Sequence, residues 1–177
     1  MMGIAQPADA TEALYRAFAP ELRRYLRRLC RNGELAEDLL QETFQRAHAA
    51  LPRLQPDAPR RPWLYAIATN LARSAGRAAY WRRVRPLSEG DLERTRDGAL
   101  DGSAAAADLI ERSLAALKPD DAALVLLHWR AGFGIDDLSQ ALGVRRDALK
   151  KRLYRAKKAF SAAYARECAH AEEGRTP

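Results

Sequence analysis

One stretch, Phe133-Gly-Ile-Asp-Asp-Leu-Ser-Gln-Ala-Leu-Gly-Val-Arg-Arg-Asp-Ala-Leu-Lys-Lys-Arg-Leu-Tyr-Arg-Ala-Lys-Lys158, fits two helices joined by a tight turn and little else. Ile135, Leu138, Ser139 and Leu142 recur at the spacing of a short helix. Gly143 supplies the turn, where a positive φ is cheap for glycine, and Val144 plugs the elbow. On the second helix Leu149, Leu153, Ala156 and Phe160 share one side. Asp147, Lys150, Lys151, Tyr154, Arg155 and Lys158 spread over the other. From Arg145 to Lys158, 8 of 14 residues are Lys or Arg and only Asp147 is acidic. A short basic helix behind a turn fits the major groove of DNA. A solvated basic helix in an ordinary bundle has a similar composition. Small Ser139, turn-forming Gly143 and apolar Leu149 at helix-turn-helix spacing favour DNA.

The rest of the chain is compatible with such a partner. At 177 residues it is one domain or two small ones, and its net charge of +7 with a pI near 9.8 suits a polyanion. The charge is uneven: +7 over residues 1–85, −3 over 86–105 and +3 over 106–177. Cys30 and Cys168 stand alone without a CxxC, and His48, His128 and His170 lack metal-ligand spacing. Two free thiols in a reducing compartment are expected, with no metal and no cofactor. There is no signal-peptide pattern in the first ten residues and no apolar run of membrane-spanning length, so a cytoplasmic protein is expected. A nucleophile–base pair or a phosphate loop is also missing from the sequence, and no enzymatic activity is expected.

Helical spacing marks a first helix over 11–31 (Leu14, Phe18, Leu22, Leu26, Leu29), a turn at Asn32-Gly33 and a second helix over 34–51. Pro52, Pro56 and Pro59 make the next ten residues a loop. Pro62 suits the first turn of a third helix, where its missing N–H is tolerated, and that helix runs to about position 83. Residues 86–105 carry Gly, Ser and acids without periodicity and read as a flexible linker. Ile110, Leu114 and Leu117 resume a helical pattern, and Pro119 opens another helix to about Arg130. No strand-like alternation is convincing. The expected architecture is all-α: a domain over 10–85, the linker, a helix-turn-helix domain over 106–165, and a tail over 166–177 without an assigned role.

Two further surfaces stand out. The second helix carries Leu35, Leu39, Leu40, Phe44, Ala47 and Leu51 on one side and Glu34, Asp38, Gln41, Glu42 and Gln45 on the other. An acidic and amide stripe on a basic chain does not suit DNA; it is either solvated or a dock for a basic partner. The third helix has Leu64, Ile67, Leu71, Ala75 and Ala78 as its core face. Tyr65, Thr69, Arg73 and Tyr80 are expected outside, with Asn70 and Arg77 on the flank and Arg82, Arg83 and Arg85 following. Cations interleaved with aromatics suit nucleic acid with unstacked bases. Trp63, at the start of this segment, reads as closing the core.

With these motifs in view, residues 12–160 resemble bacterial sigma factors of the extracytoplasmic-function (ECF) type. Glu37-Asp-Leu-Leu-Gln-Glu-Thr-Phe44 resembles the region-two helix that docks on the clamp helices of core RNA polymerase. The resemblance gives Asp38 and Gln41, with neighbours Glu42 and Gln45, that docking role. Arg61-Pro-Trp-Leu-Tyr-Ala-Ile-Ala-Thr-Asn-Leu-Ala72 resembles the helix that engages and helps open the minus-ten element, which implies promoter contacts at Asn70, Arg73, Arg77, Tyr80, Arg82 and Arg83. The loop over 51–61 matches one that captures a flipped base. Residues 114–156 are similar to region four, which reads the minus-thirty-five element. This implies contacts from Arg145, Arg146, Asp147, Lys150, Lys151, Tyr154, Arg155 and Lys158. The resemblance also implies promoter DNA and an anti-sigma factor as partners, and no membrane insertion.

The chain departs from the family pattern at Ser74, where an acid is usual. Its recognition helix opens Asp147-Ala-Leu-Lys-Lys-Arg152, in place of a small residue and Thr followed by Val-Lys-Ser-Arg. An acid can accept from cytosine and a lysine can approach guanine, so Asp147 and Lys151 bear on promoter preference. Two alternatives remain. A conventional helix-turn-helix regulator would dimerise on palindromic DNA without polymerase. A sigma-like decoy would bind an anti-sigma protein without initiating, and would need neither the stripe nor the basic helix.

Overall fold

The computed structural model describes residues 7–80 and 104–173. Among these residues regular structure is entirely helical, and the chain separates into two compact units, dividing between Asp91 and Leu92. Of the expected linker, 86–103 lies outside the described residues; the last two positions already belong to a helix.

The first unit is a bundle of α1 (Pro7–Cys30), α2 (Gly33–Ala50) and α3 (Arg60–Tyr80), each packed on the other two. Leu14, Leu22 and Leu26 of α1 meet Leu39, Leu40 and Phe44 of α2 and Leu64 and Leu71 of α3 in the core. Each such side chain contributes roughly 1.5–3 kcal/mol on leaving water. Carboxylates fix how the helices sit. Glu37 accepts from Arg23 Nε (2.9 and 3.0 Å) and from Arg27 (2.9 Å), joining α2 to α1. Glu21 accepts from both the Nε and a terminal nitrogen of Arg61 (2.8 and 3.0 Å), joining α1 to the start of α3. Partly exposed pairs like these add little stability individually, but they discriminate against other registers.

The turn between α1 and α2 is not built where Asn32-Gly33 suggested. Arg31 takes the left-handed conformation (φ 52°), its N–H bonded to the Arg27 carbonyl at 2.9 Å, while Gly33 is the first residue of α2. Asn32 is the cap: its Oδ1 accepts from the Leu35 N–H at 2.9 Å. A left-handed non-glycine residue is strained by about 1 kcal/mol. Arg31→Gly is therefore expected to stabilise the first unit by about 0.5–1 kcal/mol in thermal melts, and an unchanged or lower midpoint would contradict the reading. Between α2 and α3 the Pro-rich stretch folds on itself. A 3₁₀ turn (Leu51–Arg53) is followed by backbone bonds from Leu54 to Leu51 (3.1 Å), Ala58 to Gln55 (3.0 Å) and Trp63 to Pro59 (3.1 Å).

The second unit contains α4 (Ala104–Ala115), α5 (Pro119–Val125, continued by a π-helical turn, Leu126–Arg130), α6 (Ile135–Leu142) and α7 (Arg146–Glu173). α4, α5 and α6 each pack on α7, around Leu114, Leu124, Leu127, Phe133, Leu138, Leu149 and Leu153. The π turn closes with the Ala131 N–H on the Leu126 carbonyl (2.8 Å), and the His128 imidazole donates from Nδ1 to the Phe133 carbonyl (2.8 Å). Apolar spacing does not report one extra residue in a final turn, so the sequence alone indicates a regular helix here. Between α6 and α7, Gly143 is left-handed (φ 62°) as expected. Ser139 closes the turn twice: its carbonyl accepts from the Val144 N–H (3.1 Å) and its hydroxyl donates to the Val144 carbonyl (2.7 Å). α7 continues well past position 165 to Glu173; Ala163 is buried, and Glu167 lies 3.6 Å from Arg112 of α4.

Candidate nucleic-acid and partner interfaces

On α7 the arrangement follows from helical phase. Leu149, Leu153 and Ala156 are buried, so residues rotated away from them must face water. Arg145, Arg146, Asp147, Lys150, Lys151, Tyr154, Arg155 and Lys158 are all exposed, Tyr154 at 69 %. Lys150, Lys151, Tyr154 and Arg155 border a shallow open depression. Arg146 is partly committed within the unit: its Nε is 3.0 Å from Asp136 of α6. Arg152, on the same helix, is turned aside, 3.6 Å from Asp120 of α5.

On α2 the same logic turns Glu34, Asp38, Gln41 and Gln45 outward, with Leu39, Leu40 and Phe44 beneath them. Glu42 is half-exposed and pairs with Arg46 one turn on, at 2.5 Å. Glu37, although it opens the same sequence motif, is turned along the surface toward Arg23 and Arg27 of α1 and is committed to that pairing. Tyr15 of α1 stands edge-on to Phe44, with ring centroids 4.8 Å apart.

On α3, Asn70 and Ser74 are exposed and Arg73 is half-buried. Arg77 and Tyr80 belong to the helix, but their side chains lie outside the described residues, as do Arg82, Arg83 and Arg85 entirely. Tyr65 and Thr69, expected on the outer face, are instead buried, at 3 % and 2 % exposure. The cause is composition. Ala66, Ala68 and Ala72 are buried as well, so α3 is enclosed over a wide arc, and alanines give no apolar signal strong enough to mark it. Tyr65 packs against Tyr25 of α1 (centroids 5.0 Å), and the Arg61 guanidinium lies over the Tyr65 ring at 5.6 Å. The Tyr25 and Thr69 hydroxyls are 2.7 Å apart. Trp63 is half-buried.

Burial pushes the Tyr25 phenol far above its usual range and the Tyr65 phenol up to about 12, so both keep their protons at neutral pH. Burial likewise pushes the Cys30 thiol up to about 12, away from thiolate chemistry. Both cysteines are free. Among the described residues no group of three His, Cys, Asp or Glu side chains is placed to hold a metal ion, and no helix is long and apolar enough to cross a membrane. The partners that sequence reading did not supply are Glu21 and Tyr25. Each acts across the α1–α3 contact, and a single sequence does not pair residues 40 or 44 positions apart.

Comparison with known proteins gives these surfaces a context. Residues 14–82 match the family model for sigma-70 region 2, and residues 107–160 match that for sigma-70 region 4. The RNA polymerase sigma factor CarQ of Myxococcus xanthus is 33 % identical over 155 residues, 83 % of this chain and 84 % of that one. The ECF RNA polymerase sigma factor SigL of Mycobacterium tuberculosis is 32 % identical over 161 residues, 88 % of this chain and 89 % of that one. Two solved structures share the fold. One is the sigma factor RpoE in complex with the anti-sigma factor NepR from Bartonella quintana (TM-score 0.65, 21 % identity, 86 % of this chain and 94 % of that one). The other is CnrH in complex with the cytosolic domain of CnrY (TM-score 0.63, 24 % identity, 86 % of each chain).

Proposed function

The chain belongs to the ECF sigma factors of the sigma-70 family, and on that ground we propose that it binds core RNA polymerase and directs it to promoters. The observation that carries the reading is the presence of two surfaces of opposite charge in one chain. An exposed carboxylate and amide stripe lies on α2, and an exposed cationic face lies on the second helix of a helix-turn-helix. Asp38 and Gln41, with Glu42 and Gln45, dock on the clamp helices of the polymerase. Asn70 and Arg73, followed by Arg77, Tyr80, Arg82 and Arg83, hold the unstacked minus-ten strand, and the 51–61 loop receives a flipped base. Arg145, Asp147, Lys150, Lys151, Tyr154, Arg155 and Lys158 read and hold the minus-thirty-five duplex, with Arg146 shared between Asp136 and the DNA. The work is done in the cytoplasm, where the polymerase is, and the chain contributes binding energy but no chemistry of its own. That RpoE was solved with the anti-sigma factor NepR supports an anti-sigma factor for this chain too.

Size measurement with and without polymerase tests the reading. The chain should co-migrate one-to-one with core enzyme and remain monomeric on its own; a dimer formed on palindromic DNA without polymerase would support the conventional regulator. DNA binding by the second unit should be steeply salt-dependent, because phosphate neutralisation supplies most of its affinity. Replacing Lys150 by Ala should reduce the slope of log K against log salt by about 1 if its ammonium neutralises a phosphate. An unchanged slope would remove Lys150 from the phosphate contacts.

A further inference from the structure

Three of the seven residues that α3 buries between Leu64 and Ala72 are alanine. Leu64 and Leu71 fix which side of α3 is buried. The alanines beside them make shallow ridges, so a small change of roll about that side costs little burial and a directional contact is needed to set it. Thr69 spends its only hydroxyl proton on the Tyr65 carbonyl, 2.6 Å away. Its oxygen is then an acceptor, and the buried Tyr25 hydroxyl, 2.7 Å away, is the donor. A roll of α3 of only a few tens of degrees, roughly a third of the 100° between successive residues, keeps the leucines buried but separates these two groups and leaves a buried phenol without a partner. A second contact on the same side acts in the same sense: Arg61 reaches Glu21 of α1 while lying over Tyr65. Asn70 follows Thr69 directly, and Arg73 lies one turn beyond.

We propose that the Tyr25–Thr69 hydroxyl pair sets the roll of α3 and so aims Asn70 and Arg73 at the promoter strand. Both are positioning residues, buried and out of reach of DNA. The proposal rests on the reading of Asn70 and Arg73 as minus-ten contacts.

The test separates aiming from stability. Tyr25→Phe and Thr69→Val each remove one member of the pair, and Thr69→Val leaves the Tyr25 hydroxyl buried alone, so each single variant should melt earlier. The double variant removes both polar groups and should recover most of the melting temperature. Holoenzymes carrying each variant are titrated with a single-stranded oligonucleotide selected from a random pool by the wild-type holoenzyme, below every melting transition. The double variant should bind about tenfold more weakly than wild type despite its recovered stability, with core-polymerase affinity unchanged. Double-variant binding equal to wild type would overturn the proposal. If the double variant fails to recover stability, the same titration with Tyr25→Phe decides, and wild-type affinity there overturns it equally. Asn70→Ala is the control for the underlying reading. If it weakens binding and the double variant does not, only the aiming role fails. If neither weakens binding, the minus-ten assignment of α3 fails with it.

Discussion

Asp38→Ala should lower the affinity of this chain for core RNA polymerase by about thirtyfold, the effect of losing a single interface hot spot of roughly 2 kcal/mol. Asp38 is exposed on α2, while its neighbours Leu39 and Leu40 turn into the core, so truncating it leaves the packing intact. Stability should stay within about 0.5 kcal/mol of wild type. The adjacent Glu37→Ala provides the contrast. It strips Arg23 and Arg27 of their shared carboxylate, and should lower the melting temperature of the first unit more than Asp38→Ala does. Titration of labelled protein with core enzyme reads the first effect and a thermal melt the second. If Asp38→Ala binds core as tightly as wild type, α2 does not dock through this stripe.

The second large effect is on folding. Leu149 is fully buried where α7 leaves the turn, the point on which the cationic face is mounted. Leu149→Ala should destabilise the second unit by about 3 kcal/mol, the transfer loss plus the cavity left behind. A helical unit of this size has only about 3–5 kcal/mol to lose, so a large part of its population would unfold and duplex binding would fall with it. Lys150→Ala, one residue away but exposed, should leave the urea midpoint unchanged. Equal midpoints for the two variants would show that the face is not carried by this packing.

What the sequence made legible follows leucine. α2 and the first half of α7 carry leucines at helical spacing, and their buried and exposed faces fall as the periodicity indicated: Leu39, Leu40 and Phe44 in one, Leu149 and Leu153 in the other. The all-helical architecture and the turn at Gly143 were readable for the same reason, because each has a strong local cause. α3 is legible only in part because alanine is silent about burial: the spacing puts Tyr65 and Thr69 outside, and they lie inside. The left-handed residue of the α1–α2 turn lies one or two positions before Asn32-Gly33 because Arg31 accepts a strained conformation that its own identity does not announce. The far end of α7, poor in large apolar residues, is held by a buried alanine and a pairing with α4 that only the folded chain brings about. Likewise, α2 presents Glu37 and Asp38 side by side in sequence, yet one is committed to α1 and the other faces outward.

We propose that this chain confers promoter specificity on a polymerase that lacks it. Run-off transcription with purified core enzyme, on a library of genomic DNA fragments from the source organism, tests that most directly. With the chain added, discrete transcripts should start downstream of a shared pair of upstream elements, and they should disappear when the chain is omitted or when Asp38→Ala replaces it at limiting concentration. No chain-dependent transcript from any fragment, under conditions where another sigma factor supports initiation with the same core enzyme, would show that the chain does not direct initiation.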